Sequence, residues 1–185
     1  RLSPDGRTVS LELAELKPSF VSVTYGAGGS NRAVQVELTS RIKREIGVET
    51  MAHLTCVGHS AAELAAILDQ LRDAGMENIL ALRGDPPQGQ TAFVKPADGF
   101  GHAQDLARFI RSGWDFCLGG ACYPEGHPES PNLEEDLHRT REKVDAGVDF
   151  LVTQLFFEAE TYFRYVERAR AVGIKVPIVP GIMPV

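Results

Sequence analysis

The sequence predicts an α/β protein built as a (β/α)8 TIM barrel, and two observations lead to this fold class. Short runs rich in apolar and β-branched residues alternate with amphipathic segments, at a spacing of roughly 25–40 residues. Polar residues of several chemical kinds follow nearly every apolar run, which is typical of the carboxyl-terminal face of a barrel. A doubly wound open sheet fits the same alternation, but it predicts a glycine fingerprint that residues 25–30 lack.

The predicted strands are six short apolar runs, at residues 20–24, 50–55, 78–82, 115–118, 149–153 and 176–179. The clearest helix is predicted over residues 60–74, where leucine and isoleucine recur at helical spacing. Ser60 and Glu63 form the pattern of a capping box at its start. Further helices are predicted over residues 132–146 and 158–173, each followed or closed by glycine.

Composition predicts one domain over residues 1–185 and excludes several classes of partner. The formal net charge of −6 argues against nucleic acid and against an anionic membrane. An anionic cofactor remains compatible, because local basic residues and helix N-termini can outweigh a mildly acidic whole. Cys56, Cys117 and Cys122 are an odd number inside apolar runs, so neither a disulfide framework nor a metal site is expected. No signal peptide or membrane-spanning run is recognisable, which predicts a cytoplasmic protein.

Two polar loops carry groups that suit a ligand. Arg83-Gly84-Asp85 follows the third predicted strand and joins a cation, a glycine that permits close backbone approach, and a carboxylate. Alone, such a triplet is more often a surface turn with a local ion pair. The loop of residues 121–130 offers the phenol ring of Tyr123 and the imidazole of His127. Its length and position favour ligand binding over a rigid connector.

Four further positions are ambiguous when each is taken alone. His53 lies inside an apolar strand, where a histidine is usually a core residue. Gln154 follows a strand, and its amide can donate and accept hydrogen bonds at once, which suits a pterin or a flavin but also a capped strand end. Arg139 and Lys143 share a predicted helix with several glutamates, a pattern typical of a solvated face.

Taken together and in order, six motifs resemble the methylenetetrahydrofolate reductase family. They are Val21-Ser-Val-Thr-Tyr-Gly-Ala27, Arg83-Gly-Asp-Pro-Pro87, Tyr123-Pro-Glu-Gly-His-Pro-Glu129, Lys143-Val-Asp-Ala-Gly147, Thr153-Gln-Leu-Phe-Phe157 and Pro180-Gly-Ile-Met-Pro184. The resemblance implies a TIM barrel that binds FAD at its carboxyl-terminal face. It implies reduction of 5,10-methylenetetrahydrofolate to 5-methyltetrahydrofolate by NADH or NADPH, with ping-pong kinetics, in one-carbon metabolism and methionine biosynthesis. It also implies a homo-oligomer.

The resemblance assigns site residues position by position. The implied FAD contacts are Thr24, Tyr25, Ala27, His53, Arg83, Gly84, Asp85, His102, Ala103, Tyr123, His127, Ser130, Asp136, Arg139 and Lys143. Asp85 and Gln154 are the implied catalytic residues, and Thr24 joins them as an implied folate contact. A neutral polar residue is common in the family where Arg139 stands, and a basic one where Glu142 stands. One positive charge is therefore displaced by about a helical turn.

By analogy, the six predicted strands are strands two to seven of eight. The family's first strand carries a catalytic glutamate, and no such motif precedes Pro18. The chain is therefore expected to be a catalytic barrel domain that lacks its first and last strands. Two alternatives stay open: a barrel methyltransferase or aldolase that binds folate without flavin, and a non-catalytic barrel that binds a partner.

Overall fold

The computed structural model describes residues 15–24, 32–86, 89 and 93–183, and in them strands and helices alternate. The strands are β1 (Val21–Val23), β2 (Thr50–Thr55), β3 (Asn78–Leu82), β4 (Cys117–Cys122), β5 (Phe150–Thr153) and β6 (Ile178–Val179). The helices are α1 (Arg32–Arg41), α2 (Ala61–Asp73), α3 (Ala103–Gly113), α4 (Leu133–Asp145) and α5 (Ala159–Ala171), and α1 continues as a π-helical turn over Ile42–Ile46. The predicted alternation is confirmed.

The six strands form one parallel sheet in the order β1-β2-β3-β4-β5-β6. A doubly wound sheet reverses its strand order at a switch point, so this sequential order excludes it. The register pairs Thr55 with Leu82 and Cys122 with Thr153, so the carboxyl ends of neighbouring strands meet at one edge. The structure is therefore a partial TIM-like barrel of six strands with alternating helices.

Strand β4 differs from its prediction, which placed it at residues 115–118 instead of Cys117–Cys122. The strand contains Gly119 and Gly120, and glycine ordinarily weakens a strand. A Cβ atom on Gly119 would lie 2.8 Å from Cζ of Phe150 and 2.9 Å from Cδ1 of Leu80. Neighbouring side chains therefore fill the space that a side chain at position 119 would occupy. The longer strand brings Tyr123 to the carboxyl-terminal edge of the sheet.

Helix α2 shows why the sequence signals for helices succeed. Ser60 Oγ accepts the N–H of Glu63 at 3.3 Å, and Glu63 Oε2 accepts the N–H of Ser60 at 2.9 Å, which completes the predicted capping box. Gly75 ends the helix in the left-handed region, with φ of 77°. The predicted apolar stripe is buried: Leu64, Ile67, Leu68 and Leu71. Each such side chain contributes roughly 1.5–3 kcal/mol of burial free energy.

Two further findings concern the whole of the described chain. Among the described residues, no helix has the length and apolar character needed to cross a membrane. Cys56 and Cys122 are buried and Cys117 is exposed, and all three thiols are free.

Candidate active-site cleft

A cleft of about 710 Å³ opens at the carboxyl-terminal edge of the sheet. Residues from β2, β3, β4 and β5 line it, together with the loops after β3 and β4. The first turn of α3 and one face of α4 complete the lining. The volume lies within the range of about 300–1,000 Å³ that is typical of small-molecule and cofactor sites.

Most of the residues expected from the family pattern line this cleft. They are His53, Arg83, Gly84, Asp85, His102, Ala103, Tyr123, His127, Ser130, Asp136, Arg139, Lys143 and Gln154. Thr24 is exposed at the end of β1 and is not among the lining residues. Tyr25 and Ala27 lie outside the described residues. The fold thus brings together side chains that are up to a hundred positions apart in the sequence.

Gly84 is required for packing against the end of β2. Its φ is +87°, and a Cβ atom there would lie 2.9 Å from Cβ of Thr55 and 3.2 Å from Cβ of Val57. The sequence predicted that this glycine permits a ligand to approach, whereas the close contact in the structure is with the protein itself. The packing fixes the loop so that Arg83 and Asp85 both lie in the wall of the cleft.

Arg83 makes a two-pronged ion pair inside the cleft. Its Nη1 donates to Oε2 of Glu129 at 2.5 Å, and its Nη2 donates to Oε1 at 2.8 Å. The ring of Phe93 lies 5.3 Å from Cζ of Arg83, which is a cation–π distance. The hydrogen bond from Arg83 lowers the pKa of the Glu129 carboxyl. Glu129 therefore stays ionised while it occupies the forked edge of the guanidinium.

Tyr123 and His127 form an aromatic pair beside this ion pair. Their ring centroids are 4.6 Å apart, and the rings are nearly perpendicular at 80°. The backbone N–H of Glu129 donates to Nδ1 of His127 at 3.1 Å, so the neutral imidazole carries its proton on Nε2. Burial raises the pKa of Tyr123, and the charges of Asp85 and Asp136 act in the same direction. The phenol is therefore a neutral donor at physiological pH.

Asp136 and Lys143 lie two turns apart on one face of α4, with Asp136 buried and Lys143 half-buried. Asp136 is 3% exposed and accepts from Ser130 Oγ at 3.3 Å through Oδ1. No donor in the described part of the chain reaches its Oδ2. Lys143 Nζ donates to the carbonyl of Ala121 at 2.8 Å. Burial raises the pKa of Asp136 and lowers that of Lys143, and each charge opposes the shift of the other.

Arg139 has a different environment from Lys143 on the same helix. It is exposed, and its Nε lies 3.1 Å from Oε1 of Glu135, one turn earlier. Arg139 thus lies on a solvated charged face, as the sequence predicted. Lys143 is half-buried instead, and this burial lowers its pKa.

Gln154 stands at the mouth of the cleft, at the end of β5. Its backbone N–H donates to the carbonyl of Cys122 at 2.7 Å, which anchors it to β4. Its side-chain Oε1 accepts the N–H of Leu155 at 2.9 Å. The amide –NH₂ group is thus the part of Gln154 that remains to donate to a ligand. Asp85 is exposed at the rim of the same cleft.

The sequence analysis did not identify three polar residues that also line the cleft: Gln104, Glu129 and Glu135. Glu135 precedes Arg139 by four positions, a helical ion-pair spacing that is visible in the sequence. Glu129 closes one of the six motifs, but its partner Arg83 is 46 positions away, and no local pattern reveals that pair. Among the described residues, no group of three or more His, Cys, Asp or Glu residues is arranged to bind a metal ion.

Sequence comparisons with known proteins point to one family. A family model described as methylenetetrahydrofolate reductase matches residues 9–185. Methylenetetrahydrofolate reductase (NADH) 1 of Arabidopsis thaliana is 42% identical over 94% of this chain and 31% of its own length. The 5,10-methylenetetrahydrofolate reductase of Escherichia coli K12 is 41% identical over 94% of this chain and 56% of its own length. The chain thus spans between about a third and just over half of these relatives.

Solved structures match the path of the chain at low sequence identity. Phosphonopyruvate hydrolase, in a complex with oxalate and Mg²⁺, superposes with a TM-score of 0.73 at 14% identity, covering 97% of this chain and 64% of that one. A 2,3-dimethylmalate lyase superposes with a TM-score of 0.60 at 13% identity, covering 92% of this chain and 71% of that one. At such identities the likeness concerns the fold alone.

Proposed function

The chain belongs to the methylenetetrahydrofolate reductase family, and we propose that its cleft binds FAD and that the protein reduces 5,10-methylenetetrahydrofolate to 5-methyltetrahydrofolate. The observation that carries the proposal is the convergence of the expected FAD contacts on one cleft at the carboxyl-terminal edge of the sheet. NADH is specified in the name of the plant relative, which favours it over NADPH as the reductant. The two substrates are proposed to alternate at one site in a ping-pong cycle.

The residues present fit FAD in three respects. Positive charge for a pyrophosphate comes from Arg83, Arg139 and Lys143. Helix α3 begins at the cleft, and no described side chain caps its N-terminus, so its first N–H groups can donate to an anion. The paired rings of Tyr123 and His127 suit a planar ring system. The buried Oδ2 of Asp136 suits a ligand hydroxyl as donor. When bound, the flavin supplies reversible acceptance of a hydride.

Two residues are proposed to act on the reacting groups. Asp85 places a negative charge at the rim, which opposes negative charge on a reduced ring and so favours loss of hydride from it. Gln154 donates its free –NH₂ group to the pterin, because its oxygen is engaged by the N–H of Leu155. Thr24 remains a proposed folate contact at the end of β1.

The colour of the intact protein tests this proposal most cheaply. The purified protein should show the visible absorbance bands of a bound flavin, and heating should release that flavin into solution. A colourless protein that gains no bound flavin when FAD is added would contradict the proposal. Such a protein would correspond to a folate-binding barrel methyltransferase or aldolase, or to a barrel without catalytic activity.

We also propose that residues 1–185 form one catalytic domain whose described strands are strands two to seven of an eight-stranded barrel. Within the described residues, β1 and β6 each pair on one side only. Further strands would satisfy the backbone groups on the other sides and close the barrel. A structure of the intact protein tests the count of strands, and sedimentation tests the proposed homo-oligomer.

A further inference from the structure

The cations that line the cleft are already accompanied by carboxylates of the protein itself. Three cations and four carboxylates line it. Two of the cations are paired with carboxylates, Arg83 with Glu129 and Arg139 with Glu135. Lys143 donates to the carbonyl of Ala121, and the charge of Asp136 raises its pKa. A pyrophosphate that enters the cleft therefore meets two arginines whose charge is already compensated. To gain a direct contact with one of them, it must displace a carboxylate.

Glu129 is the carboxylate best placed to be displaced. It accepts from both Nη atoms of Arg83, at 2.5 and 2.8 Å, and so covers the forked edge that would bind a phosphate through two hydrogen bonds. The Glu129 side chain is 59% exposed, whereas that of Arg83 is 22% exposed. The carboxylate can therefore rotate into water while the guanidinium stays in the wall. Phe93 lies against one face of the guanidinium and leaves the edge as the route of approach.

Asp136 and Lys143, elsewhere in the cleft, cannot exchange partners in this way. Asp136 is 3% exposed, so its carboxylate has no direct route into water. Lys143 donates to the carbonyl of Ala121, a backbone group that cannot rotate away. Lys143 is thus a fixed cation of the cleft, whereas Arg83 has an exchangeable partner that covers its forked edge.

We propose that Glu129 is an internal counter-ion of Arg83 and that a phosphate group of the ligand displaces Glu129 from it; this inference rests on the proposed binding of FAD. Glu129 thereby sets how strongly the cleft prefers a phosphorylated flavin over riboflavin. A ligand with phosphates must break the Arg83–Glu129 pair before it binds Arg83, whereas riboflavin leaves the pair intact. A partly exposed ion pair shifts an equilibrium by a factor of about two to five, so the effect is measurable.

The test is to titrate FAD and riboflavin into the intact protein after removal of its flavin, with quenching of flavin fluorescence as the readout. Glu129→Gln should bind FAD about threefold to fivefold more tightly than the unmodified protein, with riboflavin affinity unchanged. Glu129→Asp keeps the charge and should stay closer to the unmodified protein. Glu125→Gln is the matched control, because Glu125 is exposed in the same loop and the substitution makes the same change in net charge. It should change FAD affinity less than about twofold, since only screened long-range electrostatics would act.

Three outcomes would overturn the inference. Equal or weaker FAD binding by Glu129→Gln would mean that Glu129 orients Arg83 for the ligand. Equal tightening for FAD and riboflavin would mean that phosphate is not involved. Loss of folding in Glu129→Gln, monitored by circular dichroism, would mean that the pair is structural. If the unmodified protein binds FAD and any of these outcomes occurs, only this inference fails; if it binds no flavin, the proposed function fails as well.

Discussion

At the amino-terminal edge of the sheet, Arg111 and Arg170 donate to backbone carbonyl groups, and Arg111 also pairs with the carboxylate of Asp149. At the carboxyl-terminal edge, the guanidinium of Arg83 pairs, among the described residues, with a carboxylate alone. Arg111 donates to the carbonyl of Gly147 at 2.9 and 2.7 Å and to that of Phe116 at 2.6 Å. Arg170 does the same for two carbonyls that precede β6, at 2.6 and 3.0 Å. In the cleft, by contrast, the partner of Arg83 is an exposed carboxylate.

The difference separates stability from binding. A carbonyl in a folded backbone cannot rotate into water or change its charge, so a cation that binds carbonyls ties helices to strands permanently. A carboxylate on an exposed side chain can leave, so its cation becomes available to a ligand. In barrels the carboxyl-terminal face carries function and the opposite face carries stability. The partners of Arg83 on the first face and of Arg170 on the second follow that division.

The largest expected effect is at Lys143, which shares a face of α4 with the buried carboxylate of Asp136. Lys143→Met would remove the hydrogen bond to the carbonyl of Ala121 and the positive charge that lowers the pKa of Asp136. We expect the free energy of unfolding in urea to fall by about 3–5 kcal/mol. Adding Asp136→Asn should recover much of that loss, because it removes the uncompensated charge. No recovery in the double variant would show that the two residues are not coupled.

Arg111 and Arg139 provide the matched comparison of the two edges. Arg111→Met loses its hydrogen bonds to carbonyls and its ion pair with Asp149, and should lower the free energy of unfolding by about 2–3 kcal/mol, with FAD affinity unchanged. Arg139→Met loses an exposed helical ion pair, which is worth less than about 0.5 kcal/mol, but should weaken FAD binding. Urea unfolding and FAD titration of both variants check this. Equal losses of stability would remove the distinction between the edges.

Much of the fold could be anticipated from the sequence, because hydrophobic periodicity and helix capping depend on neighbouring residues. The capping box at Ser60 and the strand at Thr50–Thr55 depend on neighbouring residues, and both were predicted with their bounds. The extent of β4 depends on Phe150, which fills the space above Gly119, and no pattern near β4 reveals that contact. Tertiary packing likewise determines the ion pairs between distant loops and which face of α4 points into the cleft, so the spacing of residues in the sequence did not predict them.

Gln154, the proposed pterin contact at the carboxyl-terminal edge, sharpens the comparison between binding and stability. Gln154→Glu keeps an oxygen for the N–H of Leu155 and removes the amide donor. We expect oxidation of the reduced flavin by folate to slow by more than about tenfold, or about 1.4 kcal/mol, while reduction by NADH suffers less. Stopped-flow absorbance of each half-reaction measures this. Equal damage to both half-reactions would assign Gln154 a structural role.

The smallest effect concerns the pH dependence of the Arg83–Glu129 pair. Because Arg83 lowers the pKa of Glu129 from its ordinary value of 4.5, the pair stabilises the folded state fully above that pH and loses its effect as the pH falls through the folded-state pKa. Glu129→Gln should therefore be less stable than the unmodified protein by at most about 1 kcal/mol near neutral pH, with the difference shrinking in acid. Urea unfolding of both proteins from neutral to acidic pH checks this prediction. A difference in stability that stays constant with pH would contradict a contribution from the Arg83–Glu129 pair.

Hydrogen–deuterium exchange of the intact protein, with and without FAD, tests the central claim that the carboxyl-terminal edge is the cofactor site. FAD should slow exchange in residues 83–85, in residues 121–131 and in the first turns of α3 and α4. Exchange in residues 113–117 and 147–149, at the amino-terminal edge, should stay unchanged. Protection confined to the amino-terminal edge, or bound FAD with no protection around the cleft, would contradict the account.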